Sequence, residues 1–163
     1  MESGMIRSLY HSKFESLVRY GMIFWGVENE NILIFKLQKR VIRTMCGVGK
    51  STSCRQLFKD CKILTVTSLY ILEVLCFLKK YKSTVQKNEQ IHDHNTRSNM
   101  NLFIKPCNTN LYKKSVINMG IRLYNKVPNN IKKVEEYKPY KRKLKSFLTE
   151  HAFYSLDEFL MSG

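Results

Sequence analysis

Glycine and proline are scarce in this sequence, with seven and three among 163 residues. A chain of many short strands needs more turn formers than that, which argues against an all-β sandwich. Acidic residues are scarce as well. Thirteen Asp and Glu face 28 Lys and Arg, a formal net charge of +15. The aspartates Asp60, Asp93 and Asp157 stand alone, and no Asp-Asp pair occurs. The five cysteines, Cys46, Cys54, Cys61, Cys76 and Cys107, contain no Cys-x-x-Cys pair, so a zinc ribbon lacks its ligands. Their odd number leaves one unpaired in any disulfide scheme, and reduced thiols are expected, with Cys76 a buried hydrophobe. Long apolar runs are missing too. The segment from Ile63 to Leu78 carries Glu73 and falls short of the ~20 residues that span a bilayer. Arg7 and Lys13 interrupt any apolar core of a signal peptide. A soluble intracellular protein of the nucleus or cytoplasm, with no membrane partner, is the expectation.

What is present is hydrophobic mass and positive charge. Hydrophobic residues make up 44% of the chain, including nine Phe and nine Tyr, enough for a packed core. Residues 1–75 hold 11 basic and 6 acidic residues, whereas residues 76–163 hold 17 and 7. A field of this strength attracts polyanions, nucleic acid first among them.

The stretch Gly47-Val48-Gly49-Lys50-Ser51-Thr52 looks like the end of a phosphate-binding loop. Such a loop needs glycines five positions apart between a strand and a helix. Five positions before Gly49 stands Thr44, so no bound nucleotide is expected. Gly47 suits the left-handed position that ends a helix, and Ser53-Cys54-Arg55-Gln56 matches a capping box that opens the next.

Steps of three and four residues predict helices along most of the chain. Ile6 to Trp25 is read as one helix, with Leu9, Tyr10, Phe14, Leu17, Val18 and Phe24 on its apolar face. A second, from about Glu30, places Ile34, Leu37, Val41 and Met45 inward and Lys36, Lys39, Arg40 and Arg43 outward. A short helix covers Cys54 to Asp60. The next starts at Thr65 or Thr67, is apolar all round between Leu69 and Leu78, and ends in Lys79, Lys80 and Lys82. Periodicity then lapses from Ser83 to Tyr112, apart from an extended piece at Leu102-Phe103-Ile104. Beyond it, Ser115 to Val127 turns Val116, Ile117, Gly120, Ile121 and Tyr124 inward and stops at Pro128. Pro139 sits in the first turn of a helix that buries Tyr140, Leu144, Phe147 and Leu148. That helix carries a second basic stripe, Lys138, Lys141, Arg142 and Lys145. Ser155-Leu156-Asp157-Glu158 is a capping box for a closing helix. The expectation is an all-α chain of about six helices. An N-terminal subregion (1–82), a polar connecting loop (83–112) and a C-terminal basic subregion (113–163) compose it.

Catalytic constellations are absent. His92 and His94 flank Asp93 in the polar loop without a partner at ligand spacing, and His11 and His151 fall on helices, so no metal or cofactor is expected. No nucleophile elbow or His-Glu-x-x-His motif occurs. The two stripes and Arg97 can instead meet successive backbone phosphates, with Tyr112, Tyr137 and Tyr140 as candidate stacking rings.

Six blocks carry a family likeness: "SLYHSKFESLVRYGMIFWG", "LQKRVIRTMCG", "SCRQLFKDCKILTVTSLYILEVLCF", "HDHNTRS", "MGIRLYNKVPNNIKK" and "LKSFLTEHAFYSLDEFL". In this order they resemble the region downstream of the polymerase core in reverse transcriptases of jockey-like non-LTR retrotransposons. The likeness runs from about Leu9 to Leu160. It implies a non-catalytic C-terminal part of an RNA-directed DNA polymerase. That part holds template RNA or target DNA during target-primed reverse transcription, with the polymerase core of the same element as a further partner. Two-metal nucleotidyl transfer needs clustered carboxylates, which this chain lacks. The spacing of Cys46, Cys54 and Cys61 does not match the zinc knuckle of some relatives. The rival reading is an orphan or co-opted helical module that binds protein, its basic surface incidental.

Overall fold

The computed structural model describes residues 3–25, 31–81, 101–104, 106 and 108–162. Among these residues the chain is all-α, and no strand forms. Six helices have seven residues or more: α1 (Ser3–Leu9), α4 (Asn31–Cys46), α5 (Cys54–Asp60), α6 (Val66–Lys80), α8 (Val116–Lys126) and α10 (Tyr137–His151). Shorter turns are α2 (Ser16–Arg19), α3 (Met22–Trp25), α7 (Asn110–Lys113), α9 (Asn129–Lys132) and α11 (Leu156–Met161). The polar stretch 82–100, which holds Lys82, His92, Asp93, His94 and Arg97, lies outside the described residues, as does Cys107.

Helix α6 is the centre of the molecule, as its all-round apolar sequence predicts. Leu69, Tyr70, Ile71, Leu72, Val74 and Leu75 are completely buried, the aliphatic ones each contributing roughly 1.5–3 kcal/mol of hydrophobic stabilisation. Helices α3, α4, α8 and α10 all pack on it, so the N-terminal and C-terminal stretches share one core. Thr65 caps α6 by accepting from the Ser68 amide at 3.1 Å and donates to the Phe153 carbonyl at 2.6 Å. One hydroxyl thereby starts the central helix and anchors the chain after α10. Gly120 of α8 allows close approach, since a Cβ there would stand 3.3 Å from Val74 Cγ1 on α6.

The link between α4 and α5 folds as its sequence suggests. Gly47 has φ of +65°. Its amide donates to Thr44 and that of Val48 to Arg43, at 3.2 and 3.1 Å. This double closure of a helix end requires a left-handed residue, the conformation glycine adopts at no steric cost. A helix rather than a strand leads into the stretch, so GVGKST is no phosphate loop.

Four expectations need correction. The segment from Ile6 to Trp25 is not one regular helix. Residues Tyr10–Glu15 form a π-helical turn between α1 and α2, and a break at Tyr20-Gly21 precedes α3. The wider turn shifts the phase. Tyr10, Val18 and Met22 are buried, while Leu9, Leu17 and Phe24 are exposed. On α4 the buried face is rotated: Leu37 is 51% exposed, and Gln38 beside it is wholly buried. On α8, Ile117 points out, and Met119 and Leu123 fill the core. The Ser53 box is not made, because Ser53 forms no cap bond and Gln56 donates instead to Asp60 at 2.8 Å. The Ser155 cap does form, with Ser155 Oγ accepting from the Glu158 amide at 3.1 Å.

Candidate nucleic-acid interface

The first basic stripe lies on the outer side of α4, where Ile42 and Gln38 fix the inner side. Lys36 and Arg40 are exposed. Lys39 and Arg43 are half-buried and already engaged. The Lys39 ammonium sits 4.7 Å from the Phe35 ring centroid and 5.7 Å from that of Tyr154, and Arg43 Nε donates to the Thr52 carbonyl at 2.9 Å. These contacts hold two cations in place while their partners beside them remain free to reach outward.

The α4–α5 link folds back alongside this stripe. Lys36, Lys39, Arg40 and Arg43, with Thr44, Val48, Gly49 and Lys50, line a concavity of about 800 Å³. Among the described residues, five cations and no carboxylate line it. In a concave wall of low dielectric such a group focuses positive potential, and backbone phosphates are the anions that occur in matching rows. Lys50 was not singled out from the sequence as a binding residue. The signal was there, since it belongs to the glycine-rich link, but only folding shows that the link lies against α4.

The second stripe divides on α10. Arg142 and Lys145 are exposed and line another concavity, of about 550 Å³, with Lys59 and Lys62 from the end of α5. Lys138 is exposed and Lys141 half-buried, and neither lines either concavity. Arg97 lies outside the described residues. Of the candidate stacking rings, Tyr140 is completely buried in the core, and Tyr137 is half-buried, 5.2 Å below the Lys80 ammonium. Tyr112 is 47% exposed.

The basic end of α6 has a structural task. Lys79 Nζ donates to the Val134 carbonyl at 2.7 Å and lies 5.0 Å from the Tyr140 centroid. It ties α6 to the turn before α10.

Around the α4–α5 junction, Cys46 and Cys61 bring their sulfurs to 3.5 Å as free thiols. Burial and the neighbouring thiol push the Cys46 pKa up to about 11. His11 pairs with Glu15 across one turn, and Arg19 joins Glu15 to Glu73 of α6 at 2.8 Å each. His151 Nδ1 meets the Phe147 carbonyl at 2.9 Å. No group of three His, Cys, Asp or Glu among the described residues is placed to hold a metal ion. No helix among them is long and apolar enough to cross a membrane. Comparison with protein-family models, with curated proteins and with solved structures gives no match.

Proposed function

We propose that this chain holds the sugar–phosphate backbone of RNA or DNA without catalysing a reaction on it. Its place is the C-terminal part of a non-LTR retrotransposon reverse transcriptase, beside the polymerase core of the same element. The observation that carries the binding reading is the concavity where Lys36, Lys39, Arg40, Arg43 and Lys50 gather with no carboxylate among the described lining residues. Its cations sit one helical turn apart with Lys50 brought beside them, a pattern suited to successive phosphates and indifferent to base sequence. The retroelement context rests on the ordered sequence blocks alone.

The test is a salt titration of the affinity for a 20-nucleotide RNA, the same DNA strand and its duplex, by fluorescence anisotropy. Contact with four or five phosphates gives a slope of log K against log salt of about −3 to −4.5. A chain that binds none of these at 50 mM salt refutes the reading.

A rival reading has its own observation. Leu9, Leu17, Tyr20, Phe24, Leu33 and Leu37 are each more than half exposed on the N-terminal helices and α4. Apolar side chains in this number suit a protein partner. A module that binds protein alone predicts no salt-dependent affinity for nucleic acid, so the same titration separates the two.

A further inference from the structure

Helix α5 ends with the backbone closure seen at α4, but without glycine. The Lys62 amide donates to Lys59 and that of Ile63 to Phe58, at 3.0 and 2.9 Å. Gly47 and Val48 make the same pair of bonds at the end of α4. The left-handed position is filled by Gly47 in one helix and by Lys62, at φ +53°, in the other. A lysine there carries a Cβ that crowds the following carbonyl oxygen, a strain that glycine avoids. Compensation of the helix dipole does not demand it, because Lys59 already stands in the last turn of α5.

The strained lysine faces company of its own sign. With Lys59, Arg142 and Lys145 it lines the concavity of about 550 Å³ between the end of α5 and α10. None of these four makes a salt bridge with a described residue. Glu150, the one carboxylate among the described residues that line the concavity, accepts from Ser146 Oγ at 3.3 Å. Four cations gathered without an ion-pair partner among the described residues repel one another, and backbone strain is added to bring one of them there. Strain kept at a position where a simpler residue would fold better points to function.

The geometry points to a second phosphate-binding site, made by Lys59, Lys62, Arg142 and Lys145, on which the backbone of a nucleic acid held at α4 continues. This rests on the reading of the α4 concavity as a nucleic-acid site. The first site includes Lys50 of the link that leads into α5, and the second includes Lys59 and Lys62 at the other end of that helix. Cys54, which opens α5, has its sulfur 3.7 Å from the Lys39 carbonyl, and Cys61 just past its end touches Cys46. Helix α5, which lies between Lys50 and Lys62 in the chain, has seven residues and spans about 10 Å.

Lys62→Gly tests the site, because it removes a cation and relieves the backbone at once. The variant is expected to melt about 2–4 °C higher than the parent chain. Its affinity for the 20-nucleotide strand should fall about 5- to 8-fold at 0.1 M salt, with the salt slope smaller by 0.7–0.9. Lys62→Asn, which also tolerates the left-handed region, should weaken binding equally, and the pair of exposed changes Lys113→Gln and Lys133→Gln should not. Unchanged affinity and slope in Lys62→Gly, with the parent chain binding, would overturn the second site and leave the α4 reading standing. Equal loss in the Lys113/Lys133 control would overturn it in favour of generic charge. Failure of the parent chain to bind at all would remove both.

Discussion

Gln38 donates its side-chain amide to the Tyr10 hydroxyl at 2.7 Å, in the middle of the core. The same amide donates to the Leu64 carbonyl and accepts from the Val66 amide, both at 2.9 Å. One polar side chain thus joins the π-helical turn, α4 and the start of α6. In Gln38→Leu, which keeps the volume, the Val66 amide and Leu64 carbonyl are left buried without these partners. The expected loss is about 2–4 kcal/mol in a urea melt, because each orphaned group costs about 1–3 kcal/mol. An effect below about 0.5 kcal/mol, as at an ordinary surface position, would contradict the burial of Gln38.

On α4, the exposed Lys36 and Arg40 are the residues to change first, since Lys39 and Arg43 also serve the fold. The double variant Lys36→Gln, Arg40→Gln should keep its melting temperature within about 2 °C. At 0.1 M salt its affinity for a nucleic-acid strand should drop about 25- to 60-fold, the product of two phosphate contacts. Lys79, by contrast, is spent on the fold. The bond from Lys79 to Val134 makes its loss a folding defect, detectable as a lower melting temperature in Lys79→Gln.

Arg55 and Glu158 connect α5 to α11 across 103 residues, through contacts at 2.5 and 3.3 Å. Burial opposes ionisation of Glu158, but the bonds from Arg55 and the Tyr154 amide outweigh it and hold the carboxyl below its ordinary value of 4.5. A carboxyl with a depressed folded-state pKa stabilises above its unfolded value and loses that contribution as pH falls through the folded one. Acid titration below pH 4.5 should therefore destabilise the parent chain more steeply than Glu158→Gln. Parallel curves for the two proteins would show that the pair does not couple to folding.

At a pKa of about 11, Cys46 has only about a thousandth of its thiol ionised at pH 8. Alkylation by iodoacetamide, followed site by site by mass spectrometry, should be slower at Cys46 than at a free cysteine in solution. Its rate should keep rising tenfold per pH unit from 8 to 10. A plateau near pH 9 would show an ordinary thiol and contradict the contact with Cys61.

The helical class, the positions of α5, α6, α8, α10 and α11, the stop at Gly47 and the caps at Thr65 and Ser155 were written in local pattern. Each depends on side chains within one or two turns of one another, and that range is what periodicity and capping rules describe. The central burial of α6 was legible for the same reason, because residues apolar on every side leave a helix no face for water. The inward turn of Gln38 was not legible. Its partners Tyr10, Leu64 and Val66 stand 28, 26 and 28 positions away, and without them a polar residue reads as surface. The π-helical turn escaped for a related reason, since one extra residue in a turn changes the phase without changing composition. The stripes on α4 and α10 were visible as helical faces. Their partition was not: Lys50 joins α4 because the link folds back, and Lys59 and Lys62 meet Arg142 and Lys145 because α5 packs against α10. The positive charge was legible in composition, but tertiary packing decided which cations share a concavity and which, like Lys79, are spent on holding the fold.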